Sequence, residues 1–302
     1  MMTPFLLCFG LGFSAWTFAR TMQAQGWRVM GTCRDAGKAA ALSRRGIECA
    51  VFADDRPLEA DLVRSVTHCL ISIPPGNGNE ADVVLRLHGD DLAAARPSWI
   101  GYLSTTGVYG DYKGEWVDED SPCLPTQLRS QSRLEAEGQW RSFGTRHGVP
   151  LSVFRLAGIY GPGRSALDMA RAGRAHRIIK PGQVFSRIHV TDIAAALQAS
   201  CASSSASVYN VCDDDAAPPQ DVVAYACELL DVPVPAAVPF DEAVLSPMAR
   251  SFYADNKRVS NQRIKTELSV ALRYPTYREG LRAILSENAV SDDYFPTGLL
   301  KK

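Results

Sequence analysis

Residues 5–15, Phe-Leu-Leu-Cys-Phe-Gly-Leu-Gly-Phe-Ser-Ala, constrain this chain more than any other stretch. The apolar run reads as a buried strand, and the glycines that follow break it into a tight turn before a helix. Gly10 permits the sharp turn. Gly12 lets the backbone approach an anion with no β-carbon in the way. Ala15 takes the third place of G-x-G-x-x-[G/A], where a small side chain lets helix and strand pack closely. A helix that starts at such a turn offers free N–H groups and a partial positive charge to a pyrophosphate. Gly10, Leu11, Gly12, Phe13 and Ser14 are therefore candidate contacts for a dinucleotide cofactor.

Short apolar strands then alternate with amphipathic helices. Strands are expected at 3–9, 28–32, 47–53, 67–73, 99–104 and 150–156, and helices at 13–25, 35–45, 81–95 and 127–147. Asp54, Asp55 and Pro57 read as the start of a further short helix. This alternation predicts an α/β fold, a Rossmann-type doubly wound parallel sheet. Residues 105–126 and 158–164 read as loops. Residues 185–190 read as a strand returning to the sheet, followed by a helix at 191–200, a polar linker at 203–207 and a last strand at 208–211. A Pro-rich connection and two or three helices complete the chain. The expected division is a dinucleotide-binding domain of 1–158 plus about 185–211, and a smaller C-terminal substrate domain of about 159–184 and 212–288. Residues 289–302 read as a loose tail.

Composition narrows the function. The 302 residues suffice for a sizeable core, and a net charge of −1 gives no reason to expect a nucleic-acid or membrane partner. Residues 3–19 carry no charge, but no basic residue precedes them and glycines interrupt them, so a secretory leader is not expected. The eight cysteines are scattered without a Cys-x-x-Cys pair. They read as thiols of a cytoplasmic protein, with no disulfide and no metal site expected.

The end of the second strand selects the cofactor. An acidic residue there suits the 2′-hydroxyl of NAD, whereas a nearby arginine accommodates the 2′-phosphate of NADP. Here the strand runs out as Gly31-Thr32-Cys33-Arg34-Asp35. Asp35 reads as a helix cap, which leaves Arg34 to favour NADP(H), with NAD(H) the alternative. Asp54 stands where it could meet an adenine edge or cap a helix. The loop from Ile73 and Pro74 to Gly78 should border the cofactor through its backbone.

From the fifth strand onward the chain resembles a known family. Leu103-Ser104-Thr105-Thr106-Gly107-Val108-Tyr109-Gly110 is similar to the S-S-x-x-V-Y-G segment of the extended short-chain dehydrogenases/reductases, which include sugar-nucleotide epimerases and dehydratases. Arg155 to Arg164 resembles the family's R-x-x-x-x-Y-G-P-G segment, and Ser186 to Ala194 its I-H-V-x-D-x-A segment. Asn256 to Asn261 and Tyr277 to Leu281 resemble its C-terminal part. The resemblance spans nearly the whole chain. It implies a hydroxyl at Thr105 that holds a substrate oxygen, and a Tyr and a Lys one helical turn apart that move a proton and bind the nicotinamide ribose. The frame of that helix, through Ser132, Leu134 and Glu137, places Arg129 where the Tyr belongs and Arg133 where the Lys belongs.

An arginine stays protonated, so Arg129 is no proton-transfer group. Arg133 could still reach ribose hydroxyls. The two arginines could form a positive shelf for an anionic substrate, or lie on a solvated helix face. Two further Tyr-x-x-x-Lys matches, Tyr109–Lys113 and Tyr253–Lys257, lie in a glycine-flanked loop and far along the chain. Tyr109 is the substitute acid/base candidate; its alternative role is packing. His189 could face the substrate or be structural, and Asp192 should cap or brace the next helix. Lys180 and Arg187 could line the substrate entrance or be ordinary surface residues. The expected activity is an NADP(H)-dependent oxidoreductase acting on a small anionic or sugar-like substrate. The alternatives are a non-catalytic NADP(H) sensor or scaffold and a sugar-nucleotide epimerase or dehydratase. The helix at 127–147 is a plausible homodimer interface.

Overall fold

The computed structural model describes residues 3–76, 82–203, 206–286 and 294–299. Its first half is β1 (Phe5–Phe9), α1 (Phe13–Ala24), β2 (Arg28–Cys33), α2 (Ala36–Arg44), β3 (Glu48–Val51), α3 (Ala60–Arg64), β4 (His68–Ile71), α4 (Val83–Ala95) and β5 (Trp99–Thr105). A 3-10 turn (Thr106–Tyr109) leads to β6 (Trp116–Val117), α5 (Leu128–His147), β7 (Leu151–Leu156), β8 (Gly158–Tyr160), α6 (Ala166–Arg171), β9 (Arg177–Ile179), β10 (Arg187–His189), α7 (Val190–Ala202) and β11 (Val208–Val211). The chain continues through α8 (Pro219–Leu229), β12 (Ala237–Pro239), α9 (Pro247–Phe252), β13 (Arg258–Val259), α10 (Gln262–Glu267) and α11 (Tyr277–Ser286).

Seven strands form one sheet in the order β11-β7-β5-β4-β1-β2-β3, with every pairing parallel. The reason lies in the side-chain alternation of each strand. In β1, Leu6 and Cys8 enter the core beneath α1, α2 and α7, while Phe5, Leu7 and Phe9 enter the core beneath α3, α4 and α5. Both faces are covered, so the strand reads as a continuous apolar run. Because β2 and β4 flank β1 and the connections diverge there, the carboxyl ends of β1 and β4 open a crevice at the switch point of the sheet. A third, smaller core gathers Tyr160, Leu167, Val222, Tyr277 and Leu281 from β8, α6, α8 and α11.

Five local expectations are corrected. The strand at 185–190 does not return to the main sheet: β10 pairs with β8 in a separate two-stranded sheet, because β11 already occupies the edge beside β7. The loop expected at 158–164 accordingly contains β8. Asp54 and Asp55 start no helix; Ala53 and Arg56 close a tight turn, and α3 begins only at Ala60. Among the described residues the C-terminal part holds four helices, α8 to α11. Within the expected tail, Phe295 is 2% exposed and meets Trp16 edge-on at 6.1 Å. Asn77, Gly78 and the start of the helix expected at 81 lie outside the described residues, as does part of the linker at 203–207.

A dry polar network ties α5 to the sheet. Arg155 on β7 donates to Glu137 on α5 at 2.9 Å, and both side chains are almost wholly buried. Ser104 on β5 donates to the same carboxylate at 2.5 Å. Removing one partner of such a pair strands an uncompensated charge. Glu137→Ala is therefore expected to lower the unfolding free energy by about 3–5 kcal/mol in urea denaturation. A loss of no more than about 1 kcal/mol, the size for an exposed pair, would show that water reaches Arg155.

Candidate functional site

The crevice at the switch point is built around the first glycine turn. Gly10 has φ of +90°, and a β-carbon there would lie 2.9 Å from Ile73 Cγ1, so only glycine fits without displacing the loop after β4. The Gly10 amide donates to Thr32 Oγ1 at 2.9 Å, and Leu11 N donates to Thr32 O at 2.6 Å. The buried Leu11 side chain lies over Gly31, where a β-carbon would come within 2.6 Å of it. The turn is thereby fixed to β2.

Gly12 is the N-cap of α1 and offers no side chain to that helix end. A β-carbon on Gly12 would meet nothing within 4 Å, and the first turn of α1 carries no acidic residue. The amides of Phe13, Ser14 and Ala15 thus stand at an open, electropositive helix end. These features fit a pyrophosphate. Arg164, from the loop after β8, adds a cation: its guanidinium lies 5.6 Å from the Phe13 ring centroid.

Arg34 follows β2 directly, is exposed, and makes no hydrogen bond or ion pair among the described residues. Asp35 caps α2 by accepting from Lys38 N at 2.6 Å, as its position in the sequence implied. Asp54 caps no helix; it stays exposed and pairs with Arg86 on α4. Ile73 borders the glycine turn, and Pro74, the next residue, is exposed.

At the carboxyl end of β5, Thr105 Oγ1 accepts from Gly107 N at 3.1 Å. Its own hydrogen remains available to a substrate oxygen. Gly107 lies against Ser130 in the first turns of α5. The two arginines of α5 do not make one shelf. Arg133 turns inward, donates to Leu103 O at 2.5 Å and stands 5.7 Å from the Tyr102 ring centroid. Arg129 turns outward, donates to Ser251 Oγ at 2.9 Å and covers the Phe252 ring at 4.6 Å, which ties α5 to α9.

Tyr109 is not an acid/base group. It is fully buried, donates to Asn210 Oδ1 at 2.7 Å and accepts from Arg155 Nη1 at 3.0 Å. Burial pushes its hydroxyl further above the usual phenol range. The Val-Tyr-Gly stretch that carries it therefore serves packing, the second of the two roles considered for it.

Arg187 lies deep at the end of β10 and donates to Phe185 O at 2.8 Å and Ala217 O at 3.0 Å. It braces backbone instead of lining an entrance. Beside it, burial pushes the Asp213 carboxyl up to about 8. His189 is also structural. It is 1% exposed, accepts from Thr191 N through Nδ1 at 3.2 Å, and sits between the rings of Tyr160 and Tyr274. Asp192 braces the C-terminal part rather than its own helix, accepting from Arg273 N at 2.7 Å and Tyr274 N at 3.1 Å. Lys180 donates to Tyr253 O.

Sequence reasoning passed over Lys257 and Arg164. Lys257, far along the chain, reaches Gly110 O at 2.6 Å and so joins the carboxyl end of β5. Both residues sat inside quoted family segments; only their three-dimensional position was hidden.

No family model matches the chain. Protein YeeZ of Escherichia coli (strain K12) is 31% identical over 167 residues, covering 51% of this chain and 58% of that protein. The chain thus matches a little over half the length of that curated relative. A conserved, functionally unknown protein of Silicibacter pomeroyi DSS is 50% identical, with 95% of this chain and 100% of that chain covered and a TM-score of 0.86. UDP-glucuronic acid 4-epimerase of Bacillus cereus, solved with NAD, is 15% identical with a TM-score of 0.75, covering 93% of this chain and 96% of that one.

Burial, and secondarily Arg273, push the His189 imidazole down to about 3. In the unfolded chain the same ring binds a proton near pH 6.5. Below that pH the unfolded state gains a proton that the folded state refuses, so stability falls as pH drops from 6.5 towards 3. At pH 5 the expected loss from this residue is about 2 kcal/mol. Denaturation at pH 7.5 and pH 5 should show that His189→Gln loses less stability on acidification than the parent. Equal losses would mean that His189 is protonated in the fold.

Proposed function

We propose that this chain, which belongs to one family with the Silicibacter pomeroyi protein and has the fold of the extended short-chain dehydrogenases/reductases, is an NADP(H)-dependent oxidoreductase acting on a small anionic or sugar-like substrate. The observation that carries the reading is the uncapped end of α1 at the switch point, with the unpaired Arg34 at the end of β2. The amides of Phe13 to Ala15 hold the pyrophosphate. Arg34 presents a guanidinium fork to a 2′-phosphate. Ile73 and Pro74 border the cofactor. A nicotinamide bound along this edge supplies or accepts a hydride.

On the substrate side, Thr105 donates its free hydrogen to a substrate oxygen. Arg133 stabilises negative charge near the ribose or the substrate, and Arg129 attracts an anionic group at the mouth. Neither arginine passes a proton. One observation favours a second reading, cofactor binding without turnover: the Tyr109 hydroxyl is fully committed to Asn210 and Arg155. The epimerase chemistry named for the Bacillus cereus neighbour is compatible with the fold, and the same titration addresses it through NADH.

Fluorescence titration with NADPH and NADH tests the cofactor half. Arg34→Ala is expected to weaken NADPH by about 1–3 kcal/mol, the size of a lost charge-assisted contact, and to spare NADH. Equal loss for both nucleotides would place the selector elsewhere, and binding of neither would end the reading. Turnover is checked by NADPH absorbance against a panel of small carbonyl and sugar substrates; loss of rate in Thr105→Ala identifies the hydroxyl donor.

A further inference from the structure

Cys33 and Cys49 form a thiol pair at the same end of the sheet. Cys33 is the last residue of β2 and directly precedes Arg34; Cys49 lies on the edge strand β3. Gly31 is the partner of Cys49 in the register, so Cys33 and Cys49 sit on one face, two residues apart along the strands. Their sulfurs are 3.8 Å apart, with Cys49 Sγ–H donating to Cys33 Sγ and Cys33 Sγ–H donating to Asp35 O at 3.2 Å. Both residues are half-buried, whereas Cys8, Cys69, Cys212 and Cys227 are buried. Small oxidants therefore reach this pair more readily than those four thiols.

We propose that Cys33 and Cys49 are a reversible modification site, closed to a disulfide by hydrogen peroxide, and that closure weakens dinucleotide binding by moving Arg34. The effect on binding rests on the cofactor reading above; the sulfur chemistry does not. The Cys33 sulfur, as thiolate, attacks the peroxide O–O bond and becomes a sulfenic acid, and the hydroxide that leaves takes up a proton as water. The Cys49 sulfur then attacks the sulfenic sulfur. The S–O bond breaks, the S–S bond forms, and a second water departs with the Cys49 proton. Two thiols lose two electrons in total and one peroxide is reduced to two waters.

Geometry links the bond to the cofactor. A disulfide is about 2.05 Å long, so the 3.8 Å gap must shrink by nearly half. Side-chain rotation alone is resisted, because Cys33 is anchored in the ladder, its carbonyl accepting from Phe52 N at 2.9 Å, and diagonal neighbours in a sheet stand about 7–8 Å apart at Cα, beyond ordinary disulfide reach. The end of β2 is thus drawn towards β3, and Arg34, the next residue, goes with it. Gly10 and Leu11 are held to Thr32, one residue earlier, so the glycine turn is pulled by the same displacement.

The full-length chain, reduced and then treated with hydrogen peroxide, should yield a peptide joining Cys33 to Cys49, lighter by two hydrogens, in non-reducing mass spectrometry. Dithiothreitol should restore both thiols. Oxidation should raise the NADPH dissociation constant by about tenfold, and Cys49→Ser should keep its affinity after the same treatment. Peptides carrying these cysteines unlinked would overturn the site, and a linked protein with unchanged affinity would overturn the coupling. If the reduced protein binds neither NADPH nor NADH, the cofactor reading and the coupling fall together, while the peptide map still decides the site.

Discussion

The Arg155–Glu137 ion pair sets the rotation of α5, and with it the character of the candidate site. Glu137 must face β7, because its buried carboxylate is cut off from solvent and meets its counter-charge, Arg155, there. Residues four apart on a helix are offset by about 40°. Arg133, four residues before Glu137, is therefore rotated off that direction yet still reaches in to the Leu103 carbonyl; Arg129, another four before, is rotated further, is exposed and ends at α9. A single buried carboxylate thus fans the two arginines apart. Such pairs often add little net stability over apolar packing, since both charges are taken out of water. Here the pair contributes alignment: Ser104, Tyr109 and Asn210 join it, so β5, β7, β11 and α5 share one register.

The cofactor crevice depends on a second constraint, the contact of the glycine turn with β2. Leu11 fills the space above Gly31, and Thr32 uses both hydroxyl and carbonyl to hold the turn. The turn and the selector loop are therefore one rigid unit. Arg34 lies two residues beyond Thr32, so the disulfide proposed at Cys33 would displace Arg34 and the glycine turn together. It also explains why Gly31 matters as much as Gly10, although Gly31 stands outside the glycine pattern that identifies the turn.

Much of this was legible in the sequence. The parallel sheet, its first five strands and the turn at Gly10 follow from apolar runs, helix periodicity and glycine spacing, which are local properties. The roles left open at the level of sequence depend on contacts distant along the chain. His189 and Arg187 sit in polar-looking positions of a short strand, yet the rings and carbonyls that enclose them come from β8, the segment after β11 and the C-terminal part. The pairing of Asp54 was hidden because Arg86, its partner, stands 32 residues further on, in α4. Lys257 was set aside as remote from the cofactor turn, while the fold brings it to Gly110. Side-chain type and spacing reveal which residues can do chemistry, but not which of them another element has already engaged.

Tyr109 shows how that difference bears on mechanism. A phenol serves as a proton donor when a neighbouring cation lowers its pKa and a path leads from its oxygen to the substrate. Tyr109 has the cation: Arg155 lies 3.0 Å from its oxygen. Yet Glu137 neutralises that arginine, Asn210 accepts the phenolic proton, and burial outweighs the guanidinium, so the pKa moves up instead of down. The hydride transfer proposed above would therefore draw on groups that donate hydrogen bonds without acting as an acid or base, the Thr105 hydroxyl and the Arg133 guanidinium. Such groups stabilise a developing oxyanion by preorganised donation, which is effective where water is excluded. That chemistry suits a substrate whose oxygen takes its proton from solvent after the hydride has moved, and it suits poorly a reaction that needs a base poised between two protonation states.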